Sequence, residues 1–197
     1  MASFQAVHLV CEAVLDVLRD NVPASLQDHE PDFQVYTAAN FNQQPMSAGV
    51  SLFLYRVTAN PVVRTPAGRL NASGQRTRTR LPLDLHFILT VWGQRASLQH
   101  ALVGWFMRQM ETTPVLPSAL LNRREPAFRP GETVEVTLGD LDTENLFRLW
   151  ETLAQNVYQL SVPYVARMVM LDSDDLIEDA APVQERQFDL LTHGIAG

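Results

Sequence analysis

The 197 residues carry a formal net charge of −7 and 46% apolar side chains, which suits one domain burying about two-thirds of the surface its unfolded chain exposes. All 15 basic residues are arginine, and the absence of lysine excludes Schiff-base chemistry, a phosphate-loop lysine and any mechanism needing an amine that titrates near neutral pH. The single cysteine, Cys11, excludes an intrachain disulfide, and no run approaches the roughly 20 apolar residues of a membrane span.

In chain order, Phe4, Val7, Val10, Cys11, Val14, Leu15 and Leu18 recur at helical spacing. With Ser3 placed to cap and Pro23 to stop, they predict an amphipathic helix from Phe4 to about Asn21. No basic leader precedes it, so assembly in the cytoplasm is expected. Residues 22–49 are rich in Pro, Asn and Gln, with one short strand at 33–36. The stretch 50–57, VSLFLYRV, is apolar on both faces apart from Ser51 and Arg56, as a central strand covered on two sides would be.

From Arg76 to Trp92 a period of two runs unbroken, with Leu81, Leu83, Leu85, Phe87, Leu89 and Val91 on one face. At about 3.3 Å per residue a strand of that length would reach roughly 56 Å, too long for this domain. The half before Pro82 is therefore expected to leave the sheet and pair with 57–65 as a projecting arm, turning near 67–68 or 71–74.

Helix 97–111 is apolar nearly all round. Leu98, Ala101, Leu102 and Trp105 form one stripe and Val103, Phe106, Met107 and Met110 the next, so one stripe is left over for a partner or a second layer. Residues 112–131 read as a proline-rich loop and 132–139 as a short strand. Asp142 caps a helix whose Leu146, Leu149, Trp150, Leu153 and Val157 share a face, and 160–172 is the last strand. The expected class is α+β, a mostly antiparallel sheet of about four strands packed with three helices, with an Arg-rich hairpin arm at 58–81. One domain spans 1–172, followed by an acidic tail, 173–197.

Charge is uneven along this chain. Residues 56–80 hold Arg56, Arg64, Arg69, Arg76, Arg78 and Arg80 with no carboxylate, whereas 172–197 holds seven acids against Arg186 alone. Such blocks mark interaction segments or solvated tails, not catalytic clefts. His8 and Cys11 share a helix face but lack the third ligand of a zinc site. Asp84 and His86 share a strand face, yet Ser51 in GVSLF lacks the second glycine of a nucleophile elbow, so structural pairing of Asp84 with His86 is expected over a hydrolase. Gly68 and Gly74 flank a loop without the lysine of a phosphate cradle. No catalytic residue, metal or cofactor is therefore assigned. The arm suits phosphates or an acidic protein surface, or is a solvated loop; a pI near 5.1 and the lack of aromatics beyond Tyr55 disfavour nucleic acid.

The blocks VSLFLYRVTANPVVR, LPLDLHFILTVWG, QHALVGWFMRQMETTPVL and ENLFRLWETLAQNVYQLSVPYVARMVML occur in that order. Over roughly residues 4–172 the chain resembles the tail-terminator, or cap, proteins of extracellular contractile injection systems, the phage-tail-like particles. The resemblance implies a non-enzymatic structural protein. Its subunits would form a sixfold ring at the end distal to the baseplate, stop tube and sheath growth and hold the last sheath layer. Its partners would be sheath and tube proteins and further copies of itself, with no membrane. On that reading Arg56, Arg64, Arg69, Arg76, Arg78 and Arg80 bind the partner, and Val103, Phe106, Met107, Met110, Ile88 and Trp92 form the subunit interface. An Arg-armed adaptor or nucleic-acid-binding protein is the alternative.

Exposed ion pairs contribute about 0–1 kcal/mol each, so on the sequence alone replacing Arg76, Arg78 and Arg80 together with serine leaves the melting temperature nearly unchanged. A thermal melt of the triple variant checks this expectation.

Overall fold

The computed structural model describes residues 4–43, 46–61, 69–70, 76–77, 80–153 and 158–172, with the backbone alone at 43, 69–70 and 76–77. The elements are α1 (Ala6–Arg19), α2 (Ala24–Gln27), β1 (Asp32–Tyr36), α3 (Asn40–Gln43), β2 (Ala48–Ala59), β3 (Arg69–Leu70), β4 (Arg76–Thr77) and β5 (Leu81–Gly93). They continue as α4 (Ala96–Thr112), β6 (Val115–Pro117), α5 (Ser118–Leu121), β7 (Thr133–Leu138), α6 (Thr143–Leu153) and β8 (Ser161–Leu171).

Six strands form one sheet in the order β1-β2-β5-β8-β7-β6, and β3 and β4 pair separately. All pairings are antiparallel except β1 with β2, which is parallel. The expected count of about four strands thus becomes six in the sheet, and three one-turn helices join the three long ones.

Period-two alternation in β5 divides the core. Leu83, Leu85, Phe87, Leu89 and Val91 pack with the apolar sides of α1, α4 and α5. Ile88 and Trp92 point the other way, into a second cluster with Tyr36, Phe41, Leu146, Trp150 and Leu153 from β1, α3 and α6. Burial of each large apolar side chain contributes about 1.5–3 kcal/mol, so both layers matter to stability. Between the strands and α6 lies a small polar seam. The Trp92 indole donates to Ser51 Oγ (2.8 Å), the Trp150 indole donates to Ser161 Oγ (3.2 Å), and the Thr90 and Ser161 hydroxyls bond at 2.9 Å. Buried hydroxyls cost stability unless bonded, and these are bonded. Ser51 is fully buried as the acceptor of an indole, a structural position.

These layers overturn part of the expected subunit interface. Phe106 (0% exposed), Met110 (2%), Ile88 (0%) and Trp92 (5%) all lie inside the chain's own core. Phe106 and Met110 of the surplus α4 stripe join the main core cluster, and Ile88 and Trp92 on the even face of β5 are covered by α3 and α6. Val103 is half-buried and Met107 is exposed.

Helix α1 begins at Ala6, two residues later than its periodicity suggests, and Phe4 is exposed. Gln5 occupies the N-cap position, and Ser3 lies outside the described residues. Cys11 is buried, its thiol pushed up to about 12 by burial first and the Glu12 charge second, while His8 is exposed. On the same helix Asp16 is buried and salt-bridged to Arg19 and to Arg124 Nη2 (3.0 Å). Arg124 also reaches Glu12 (2.8 Å) and Arg123 reaches Asp20 (2.7 Å). These pairs fasten α1 to the segment after α5.

Gly49 sets the parallel contact. Its φ is +140°, and a Cβ there would lie 2.0 Å from the Asp32 carbonyl oxygen, so β1 packs against β2 only where a side chain is missing. We predict that Gly49→Ala destabilises the fold by about 3 kcal/mol or more, measured by urea denaturation.

Candidate functional site

The arginine-rich excursion leaves the sheet between β2 and β5. Their ladder runs to Ala59↔Leu83 and closes with the Asn60 N–H donating to the Pro82 carbonyl (2.8 Å). Residues 57–59 therefore stay paired with 83–85. The arm's own pairing is Arg69↔Thr77 and Leu70↔Arg76, so the partner of 76–77 is 69–70 and not 57–65 as expected. The reason is that the ladder with β5 already holds 57–59 in register with 83–85. Arg64 and Arg78 lie outside the described residues, and Arg69 and Arg76 are described in backbone only.

Arg80 departs from expectation. Its guanidinium bonds both Asp172 and Glu132, and Arg129 Nη2 adds a bond to Asp172 (2.6 Å). The Arg129 N–H donates to Glu132 Oε2 (2.8 Å), closing the cluster. The Asp172 side chain is 4% exposed, and Leu81 pairs with Leu171, so this clamp joins the starts of β5 and the acidic tail. Burial disfavours the charge on Arg80, but the bonds to Glu132 and Asp172 outweigh that and raise its pKa. Arg80 is part of the domain's own packing. Glu132 and Arg129 were invisible as its partners because they lie far away in sequence and carry no motif.

Asp84 and His86 share a face yet do not bond each other. Asp84 accepts both oxygens' bonds from Asn60 Nδ2 (3.1 and 3.0 Å) and one from the Met168 N–H (3.1 Å). Met168 has φ +61° at the irregularity where β8 places an extra residue opposite Asp84. The carboxylate thus supports a β-bulge. His86 Nε2 and Thr58 Oγ1 bond at 3.2 Å, and its ring lies 6.3 Å from that of Tyr55. Burial first, then the Arg56 charge, hold the imidazole below its usual range, with Arg167 adding and Asp84 opposing. Arg56 itself is exposed.

A cleft of about 660 Å³ lies between α2 and the start of α4, lined by Ser25, His29, Ser47, Arg95 and Ser97 among others. Among the described residues no three His, Cys, Asp or Glu side chains converge as a metal site, and no helix is long and apolar enough to cross a membrane.

Comparison places this architecture in a family. Residues 9–185 match the family model of the Pvc16 N-terminal domain. The chain belongs to that family. Among curated proteins no sequence match was found. Two solved structures share the fold of this Pvc16 N-terminal domain. One is the sheath/tube terminator of the extracellular contractile injection system PVC in its extended state, at TM-score 0.62 and 16% identity over 96% of this chain. The other is the tube-terminating cap of the anti-feeding prophage, at TM-score 0.60 and 16% identity over 92% of this chain. The chain spans 64% and 60% of their lengths. The family match also runs beyond β8 into the acidic segment, to residue 185.

Two outcomes follow from the site. Arg80→Ser removes charged hydrogen bonds to two largely buried carboxylates and lowers stability by about 2 kcal/mol, so the triple arginine variant melts early, contrary to the sequence-based expectation. Thermal melts of Arg80→Ser alone check this. For His86 the folded pKa is depressed, so the unfolded chain binds the proton more tightly and stability falls as pH drops below about 6.5. His86→Gln flattens that part of the stability profile, read by urea unfolding at stepped pH.

Proposed function

We propose that this chain is a structural cap of a contractile, phage-tail-like injection particle. It forms a ring at the end distal to the baseplate, stops tube and sheath growth and anchors the last sheath layer. The observation that carries this reading is the fold likeness to two terminators over nearly the whole chain, on a chain that belongs to the Pvc16 N-terminal domain family. A non-enzymatic role accords with the site: Asp84, His86 and Ser51 all serve backbone or side-chain support.

In this reading the ring is homohexameric, assembled before release of the particle. A closed ring needs two unlike surfaces on each subunit. Met107 and Val103 on α4 supply contacts between copies. Arg56, Arg64, Arg69, Arg76 and Arg78 bind acidic surface of sheath or tube, and Arg80 holds the root of the arm in place.

The decisive experiment is deletion of the gene followed by electron microscopy of the particles. Tubes or sheaths of uncontrolled length, or loss of stable particles, are expected; particles of normal, regulated length overturn the reading. A second variant isolates the arm. Replacing Arg64, Arg69, Arg76 and Arg78 with serine, with Arg80 retained, leaves the melting temperature unchanged but weakens attachment to the distal end. High salt mimics that loss in the wild type, because screening shortens the reach of exposed charges to about 3 Å at 1 M.

A further inference from the structure

The sheet is blunted at its outer strands and open at one inner one. On β1 the Phe33 N–H donates to Asp32 Oδ1 (2.7 Å) and its carbonyl accepts from Arg19 Nη2 (2.9 Å). Just past the strand, the Thr37 N–H donates to Asn40 Oδ1 (2.8 Å), which leaves Val35 alone between occupied positions. At the opposite edge β6 is three residues long and bounded by Pro114 and Pro117, neither of which has an N–H. The Pro114 carbonyl also takes the Val136 N–H (2.7 Å), and on β7 only Leu138 follows before the Gly139 N–H turns to Pro163. Short strands, prolines and charged side chains are the usual devices against unwanted strand pairing.

The second half of β2 is long and free of proline, its one charged side chain is Arg56, and its ladder with β5 is irregular only between Leu54 and Arg56. The β1 register ends at Tyr36↔Phe53, whereas β2 continues to Ala59, so among the described residues no strand flanks 54–59 on the side away from β5. Because Asn60 donates to Pro82, alternation turns the N–H and C=O of Val57 and Ala59 outward. Val57 is 45% exposed, and Arg56 and Ala59 are exposed too. The two faces of this edge differ. Val57 stands level with Leu85 on the core side, while Arg56 and Thr58 stand level with His86 and Asp84 on the other. Asp84, the acid on that face of β5, is already bonded to Asn60 and Met168, and Arg56 has no salt bridge among the described residues.

We infer that residues 54–59 of β2 are a strand-acceptor site for an extended segment of another protein chain, one that alternates acidic with apolar residues. Main-chain bonds to Val57 and Ala59 hold it, apolar residues cover Val57, and carboxylates meet Arg56. Placing this site on a particle rests on the cap reading, but the site itself does not, and its test needs no particle.

The probe is a capped peptide of about six alternating Glu and Val residues, with a Lys/Val peptide as control. Amide hydrogen exchange of the full chain is followed at Val57 and Ala59. The acidic peptide is expected to slow exchange at both by about tenfold or more, and the basic one to leave it unchanged. Arg56→Glu, which keeps every backbone group, reverses that preference. Absence of protection, equal protection by both peptides, or an unchanged preference in Arg56→Glu overturns the proposal. So does slow exchange at Val57 and Ala59 before any peptide is added, which would mean that the chain's own tail or a second copy already fills the edge.

Discussion

Strand β5 is the constraint on which the rest of the molecule depends. It lies between β2 and β8, with α1, α4 and α5 over one face and α3 and α6 over the Ile88–Trp92 half of the other, so its unlike faces decide where the layers go. Leu85, Phe87 and Leu89 require the α1–α4–α5 layer; Ile88 and Trp92 require α3 and α6. A slip of one residue would exchange the two sets, placing Thr90 in the main core and Leu89 against the Trp150 cluster. The antiparallel ladders on either side also place the ends of β2 and β8 beside the start of β5. The arm and the acidic segment therefore leave the domain from the same end of the sheet.

At that end two charged devices have different purposes. The Arg80–Asp172–Arg129–Glu132 cluster is largely withdrawn from water and binds three chain segments through charge-assisted bonds, which are worth more where solvent does not compete. Asp84 works through geometry, giving a nearby acceptor to a backbone N–H that the bulge takes out of register. Neither requires a substrate. Beside them Arg56 stays in solvent, on a stretch of sheet edge that, among the described residues, has no proline and no neighbouring strand.

The long elements were legible from periodicity because each spans several repeats of its own pattern. Helix 97–111 is found as Ala96–Thr112, strand 132–139 as Thr133–Leu138, and the Asp142 cap accepts the Asn145 N–H at 2.8 Å. The strand-length argument at Pro82 also holds, with β5 starting at Leu81. Strand β6 and helices α2, α3 and α5 were not legible, since three or four residues are too few to show a period.

By itself the sequence determined which side of each long element is apolar, that the chain forms an α+β domain, and where an uncompensated block of arginine begins and ends. Those are properties of neighbours along the chain. Only the tertiary structure decided what each apolar side meets. Phe106, Met110, Ile88 and Trp92 have the same pattern whether the covering layer comes from this chain or another, and here α3, α6 and the main core supply it. It likewise decided that Arg80 belongs to the fold while Arg56 faces water. Asp172 is 92 residues from Arg80 in sequence, and no local spacing records a contact that the β5–β8 ladder creates.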